Sequence, residues 1–165
     1  MIEAIKKFAN GYRAVGIQAT MGMEGHGFIA TIMKDGRVIG QAKDYGDGGS
    51  THLDFPLRED VDALLSYARS LFPDYQYATD DMFFGALIDY ELAIKKLRTA
   101  AKKKLMQADE TKVDQHGVAE SYVSWNMTDT PENRARILAQ QPNTVFLNDE
   151  LNDWEELKAP RKPRR

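Results

Sequence analysis

Glycine is spread so unevenly along these 165 residues that it divides the chain: ten of the twelve glycines precede residue 50. Glycine alone reaches positive φ freely and lets two backbones approach closely, so the first third is expected to be strands joined by tight turns. The remainder, poor in glycine, favours helices. The densest run, Asp44-Tyr45-Gly46-Asp47-Gly48-Gly49-Ser50, lies between two strand-like segments. It marks a loop as the surface best suited to face a ligand or partner.

Alternation predicts a strand over Arg13 to Met21, with Val15, Ile17, Ala19 and Met21 on one face. Phe28 to Lys34 and Arg37 to Lys43 form a hairpin about Asp35-Gly36, a pair that accepts positive φ at both turn positions. A regular two-residue turn sets Met33 opposite Val38, Thr31 opposite Gly40 and Ile29 opposite Ala42. That small apolar face is expected to lie under a helix, and Phe28, Ala30, Ile32, Ile39 and Gln41 to be partly exposed. Thr51 to Phe55 alternates again, with Leu53 and Phe55 inward and His52 and Asp54 outward.

Pro56 ends the strands. Val61, Leu64, Leu65, Ala68 and Phe72 recur at helical spacing, predicting a helix over 57–72. A second helix is predicted over 79–105, with Asp80 and Asp81 at its positive end and basic residues toward its negative end. Val118 to Trp125 reads as a strand. Thr130-Pro131-Glu132 reads as a helix start running to about residue 141. Thr144 to Leu147 reads as a last strand, and the chain from Asp149 as irregular. The sum is an α+β protein: an antiparallel sheet of about four strands over 12–55, packed against two helices and followed by a small strand–helix–strand segment. Residues 1–158 are expected to make one domain, with 110–150 a candidate subdomain. Residues 159–165 are expected to form a basic, disordered tail.

The absence of cysteine excludes disulfides, thiolate metal sites and a cysteine nucleophile. The opening Met1-Ile2-Glu3-Ala4-Ile5-Lys6-Lys7 does not read as a signal peptide, and no apolar run approaches membrane-spanning length. A cytoplasmic location is therefore expected. The net charge is −3, but charge falls in blocks. Lys95, Lys96, Arg98, Lys102, Lys103 and Lys104 form a basic run; Asp149, Glu150, Asp153, Glu155 and Glu156 form an acidic one. Such blocks pair within a fold or serve separate partners.

Three groups of residues carry candidate chemistry. Asp44, Tyr45, Asp47, His52 and Asp54 surround the glycine loop and form the expected partner-binding surface. In a competing enzyme or ligand-binding reading, Asp44, Asp47, His52 and Asp54 supply oxygen and imidazole ligands or an acid–base pair. Their spacing matches no calcium-loop or zinc signature, so no metal or cofactor is assigned. The second group is Lys95, Arg98, Lys102, Lys103 and Lys104. On a helix, Lys95, Arg98 and Lys102 share a face that could track phosphates, giving a nucleic-acid-binding alternative. The third is Met21-Gly22-Met23 and Met82-Phe83-Phe84, which are expected to belong to the core. His116 beside Gly117 reads as a turn before the Val118 strand.

The run Phe28-Ile29-Ala30-Thr31-Ile32, then Gly36-Arg37-Val38-Ile39-Gly40, within a helix–strands–helix order over 1–72, resembles a double-stranded-RNA-binding domain. That family grips phosphate with lysines at the start of its last helix. Here the segment reads Leu57-Arg58-Glu59-Asp60-Val61-Asp62, and its three acids repel phosphate. The resemblance therefore implies topology alone. In size and charge blocks the chain also looks like small α+β proteins of phages and mobile elements, many of which bind and block a host protein. The leading expectation is a non-enzymatic binding or regulatory protein with a protein partner, with homo-oligomerisation left open.

Overall fold

The computed structural model describes residues 1–160. It is mixed α+β, as the sequence predicts, with a four-stranded antiparallel sheet, several helices and a small two-stranded sheet. The chain divides into two compact units. The sheet unit comprises Gly11–Glu91 and the chain from Leu157; the ribbon unit comprises Met1–Asn10 and Leu92–Glu156. The basic tail falls mostly on residues 161–165, outside the described residues.

In the sheet unit, β1 (Tyr12–Met21), β2 (His26–Lys34), β3 (Arg37–Asp44) and β4 (His52–Asp54) pair in sequence order. Asp35 and Gly36 both adopt positive φ at the β2–β3 turn, and Met33 pairs with Val38. Beyond that pair the predicted register fails. One extra residue on β3 makes a bulge, so Ile32 lies opposite Gly40 and Ala30 opposite Ala42. A bulge changes which residues share a face. Here it turns both Ile39 and Ala42 inward, where regular alternation separates them. The buried set is Phe28, Ala30, Ile32, Met33, Ile39 and Ala42; Met33 and Ala42 were expected inside, and the other four lie on the face expected to be partly exposed. Val38, expected inside, is exposed.

β1 carries its own irregularity between Val15 and Gln18, where Gly16 has φ +62°. The predicted stripe Val15, Ile17, Ala19, Met21 is broken there. Val15 is buried, Ile17 half-buried, and Ala19 and Met21 are exposed. The buried end of β1 is Tyr12 and Ala14, which pair with Lys34 and Ile32.

Helices α2 (Arg58–Leu71) and α3 (Thr79–Ala101) cover the buried face. Tyr12 packs with Tyr67 of α2 and edge-on with Phe83 of α3, and Phe28 lies near Phe84. Burial holds the Tyr12 and Tyr67 hydroxyls above the ordinary tyrosine pKa, and at Tyr12 the Asp60 and Asp35 carboxylates add to it. Two carboxylates fix the path of α3. Asp81 accepts the Thr51 N–H at 2.6 Å, beside β4, and Glu91 accepts the Ala14 N–H at 3.3 Å, on β1. Ten helical residues span about 15 Å and three strand spacings about 14 Å, so α3 crosses the strands from edge to edge. Phe83, Phe84, Leu87 and Ile88 fall on that crossing and are buried. Each contributes about 1.5–3 kcal/mol of apolar burial.

α3 ends at Ala101, not near 105. The amides of Lys103 and Lys104 both bond to the Ala100 carbonyl, and Leu105–Ala108 becomes β5. β5 pairs antiparallel with β6 (Tyr122–Trp125), a shorter strand than the 118–125 predicted. The connection between them is held by aspartates. Asp109 accepts from Thr111 and Ser121, and the Asp114 Oδ1 accepts the amides of His116 and Val118. Such side-chain bonds compete with a strand ladder. His116 is half-buried on Phe8 of α1 (Ile2–Ala9), at 4.4 Å between rings. α4 (Pro131–Gln140) begins as predicted, with the Thr130 hydroxyl accepting the Asn133 amide at 3.2 Å.

The expected strand at 144–147 is absent; Leu147–Asn152 forms α5 instead. A short apolar run fits helix or strand equally, and burial decides. Here Phe146, Leu147 and Asn148 are all buried. The small core of this region is Leu105, Ile137 and Phe146 with Trp125 against them.

Arg134 closes α4 against its flanks, bonding Asp129 at 2.5 Å and 2.7 Å and Asp149 at 2.9 Å and 2.8 Å. Its guanidinium also lies 4.8 Å from the Phe146 ring. The Arg134 hydrogen bonds hold Asp129 below the ordinary aspartate pKa. A carboxylate lowered by folding contributes stability above its unfolded pKa and loses it as pH falls through the folded value. Asp129→Asn is therefore expected to cost about 0.5–1 kcal/mol at neutral pH. Urea melts of variant and wild type converge as the pH drops below about 4. A constant gap across that range would mean that Asp129 acts through packing alone.

Candidate interaction site

The glycine loop and the β1–β2 turn meet at one end of the four-stranded sheet. Within the turn, the Gly22 amide bonds to the Gly25 carbonyl at 2.9 Å. The Glu24 amide bonds across to the Gly46 carbonyl at 2.9 Å, and the Met23 amide to the Asp47 Oδ1 at 3.0 Å. The Asp44 Oδ1 accepts the Gly46 amide at 2.8 Å, and the Thr20 hydroxyl donates to the Asp44 carbonyl at 2.7 Å. Gly46, at φ +73°, sits where a Cβ would strike the Gly25 carbonyl. Only glycine lets the two loops come this close.

These bonds fix a tip whose side chains point outward. Met23 is 98% exposed, Met21 70% and Tyr45 52%. Both methionines were expected in the core, from their place near a strand end. The structure reverses that expectation because the β1–β2 hairpin runs past Phe28, the last buried residue at that end of β2. Beyond it Gly27 is half-buried and His26 exposed. Alternation in β1 carries no signal of where the core stops, so only the register with β3 could reveal the overhang.

The five predicted partner-facing residues divide. Tyr45 and Asp47 lie on the tip, although one Asp47 oxygen is occupied by the Met23 amide. Asp44 is half-buried and occupied at its own turn. His52 and Asp54 are exposed on β4, with His52 opposite Lys43 and Asp54 paired to the Lys43 ammonium at 3.3 Å. Among the described residues, no group of three or more His, Cys, Asp and Glu side chains comes together to hold a metal ion. Glu24, unremarked in the sequence, joins the rim beside Gly48.

The basic run does not form one helical face. Lys95 and Arg98 lie on α3, whereas Lys102, Lys103 and Lys104 follow its end. Arg98 is half-buried and donates to the Leu151 carbonyl at 3.1 Å. Lys102 and Lys103 are exposed, and Lys104 is half-buried. No helix among the described residues is long and apolar enough to cross a membrane.

No protein-family model, curated protein or solved structure matches this chain. The site must speak through its own chemistry. Two thioethers and a phenol stand on a pinned backbone, beside the carboxylates of Glu24 and Asp47. That arrangement offers adaptable apolar contact inside an acidic rim.

Proposed function

We propose that this protein acts without catalysis, by binding another protein through the tip of Met21, Met23 and Tyr45. The observation that carries the reading is Met23, 98% exposed on a backbone held by hydrogen bonds across two loops. Exposed apolar side chains grouped in one patch with a polar rim mark interaction sites. Rigidity in advance lowers the ordering cost of association, and methionine adapts to the surface it meets. Methionine and tyrosine are enriched at the cores of protein interfaces. The acidic rim favours a partner whose contact surface is basic around an apolar centre. His52 and Asp54 extend the same surface along β4.

A photo-cross-linking amino acid at Tyr45 is expected to capture one defined protein from the native host. Met21→Ser with Met23→Ser is expected to weaken that capture by about 30-fold, the effect of losing a hot spot of about 2 kcal/mol. The thermal midpoint stays within about 2 °C, as for surface changes. Equal capture by the double variant would remove the tip from the function. Nucleic-acid binding through Lys95, Lys102 and Lys103 has less support, because Arg98 is committed to a carbonyl of its own fold.

A further inference from the structure

We infer that β6 is a self-association edge, through which two copies of this chain join their two-stranded sheets into one of four strands. β6 pairs with β5 on one side only. The pairing of Asp109 with Ser121 and of Gln107 with Val123 sets which main-chain groups face inward. In an antiparallel ladder these alternate, so the N–H and C=O of Tyr122 and Ser124 face away from β5. Among the described residues these groups make no other hydrogen bond. Tyr122 and Val123 are 48% and 52% exposed.

Three features favour a second copy as the occupant. The first is symmetry. The outward groups of Tyr122 and Ser124 flank Val123, and one antiparallel register uses all of them. Tyr122 then bonds the partner's Ser124, Ser124 bonds the partner's Tyr122, and Val123 meets the partner's Val123 across a two-fold axis. The second is charge. Ser121 to Thr128 carries none, whereas free edges are ordinarily guarded by charged side chains, lysine above all. Glu120, the nearest charge, lies outside β6 with its amide bonded to the Lys112 carbonyl, so no like charges meet within the paired strands. The third is sheet size. A two-stranded ribbon is marginal in water, and adding a copy supplies the strands it lacks.

Four residues of strand cover less surface than the roughly 1,000 Å² of a stable interface. The dimer is therefore weak, and a covalent trap is the fitting test. The chain has no cysteine, so single cysteines report without background. Val123 and the partner's Val123 form a non-hydrogen-bonded pair with Cα atoms about 4.5 Å apart, within disulfide reach. Two Ser124 residues would lie about 8 Å apart in the same register, beyond that reach. The full chain with Val123→Cys is expected to form a disulfide-linked dimer under mild oxidation at least about fivefold faster than Ser124→Cys or Tyr122→Cys. In the cysteine-free background, Val123→Lys is expected to abolish the concentration-dependent rise in sedimentation mass. Equal cross-linking at all three positions, none at Val123→Cys, or an unchanged mass for Val123→Lys would overturn the assignment. Circular dichroism matching wild type shows that each variant is folded. The inference stands apart from the methionine tip: Met21→Ser with Met23→Ser leaves the Val123 cross-link intact.

Discussion

Asn148→Leu is expected to destabilise the ribbon unit by about 2–4 kcal/mol, the largest single loss foreseen for this chain. Asn148 is buried at 5% exposure. Its Oδ1 accepts the Met106 amide at 2.8 Å, and its Nδ2 donates to the carbonyls of Lys104 at 2.9 Å and Ala101 at 3.4 Å. One amide thus closes the end of α3 and anchors the start of β5. Leucine matches asparagine roughly in size but leaves those main-chain groups without it, and each buried orphan costs about 1–3 kcal/mol. Asn148→Asp keeps an acceptor for Met106 while turning a negative oxygen toward two carbonyls. Burial and those carbonyls raise its pKa, so this variant is expected to gain stability as pH falls through the raised value, when the protonated acid can donate to Lys104. Both tryptophans, Trp125 and Trp154, belong to this unit. Urea melts followed by tryptophan fluorescence therefore report it directly. A loss below about 1 kcal/mol for Asn148→Leu would show that the helix end is held by something else.

Glu91→Ala is expected to cost the sheet unit about 3 kcal/mol. The Glu91 carboxylate takes the Arg13 Nε at 2.6 Å and Nη2 at 3.3 Å, and the Ala14 amide at 3.3 Å. The side chains are 14% and 9% exposed, so the pair is largely withdrawn from water. Removing the acid takes the acceptor from the Nε and Nη2 of a largely desolvated guanidinium and from a strand-edge N–H together. Arg13→Met with Glu91→Leu is expected to recover most of the loss, since replacing both charges removes their desolvation penalty. It leaves about 1 kcal/mol unrecovered for the Ala14 amide. The sheet unit has no tryptophan, so far-ultraviolet circular dichroism and exchange of the Ala14 amide are the measurements. A double variant no better than Glu91→Ala would mean that the ion pair is not the source of the loss.

The candidate site shows where residue-level reading succeeds and stops. Asp44-Tyr45-Gly46-Asp47 announces a tight loop because Asp44 caps its own turn and Gly46 takes positive φ, both consequences of residues adjacent in sequence. The outward setting of His52 and Asp54 follows from period-two geometry in the same way. Nothing local tells that Gly46 abuts Gly25, or that Met23 is held in water by the Asp47 carboxylate, because those contacts join residues more than 20 apart. Methionine near a strand end carries the same hydrophobic signal whether the sheet continues over it or not.

By itself, the sequence determined what neighbours in the chain can settle. It placed the Asp35-Gly36 turn, the Thr130-Pro131 helix start, the α2 stripe of Leu64 and Ala68 with Phe72 just past its end, and the α+β class. Tertiary structure alone decided which face of β2 is buried, which propensity leaves open, and it alone set the bulge on β3 that turns both Ile39 and Ala42 inward. It alone stopped α3 at Ala101, where three lysines would continue a helix and Asn148, over forty residues away, takes the carbonyls instead. Local preference is worth tenths of a kcal/mol per residue, and a buried hydrogen bond or side chain is worth several times that. Where the two disagreed, packing won.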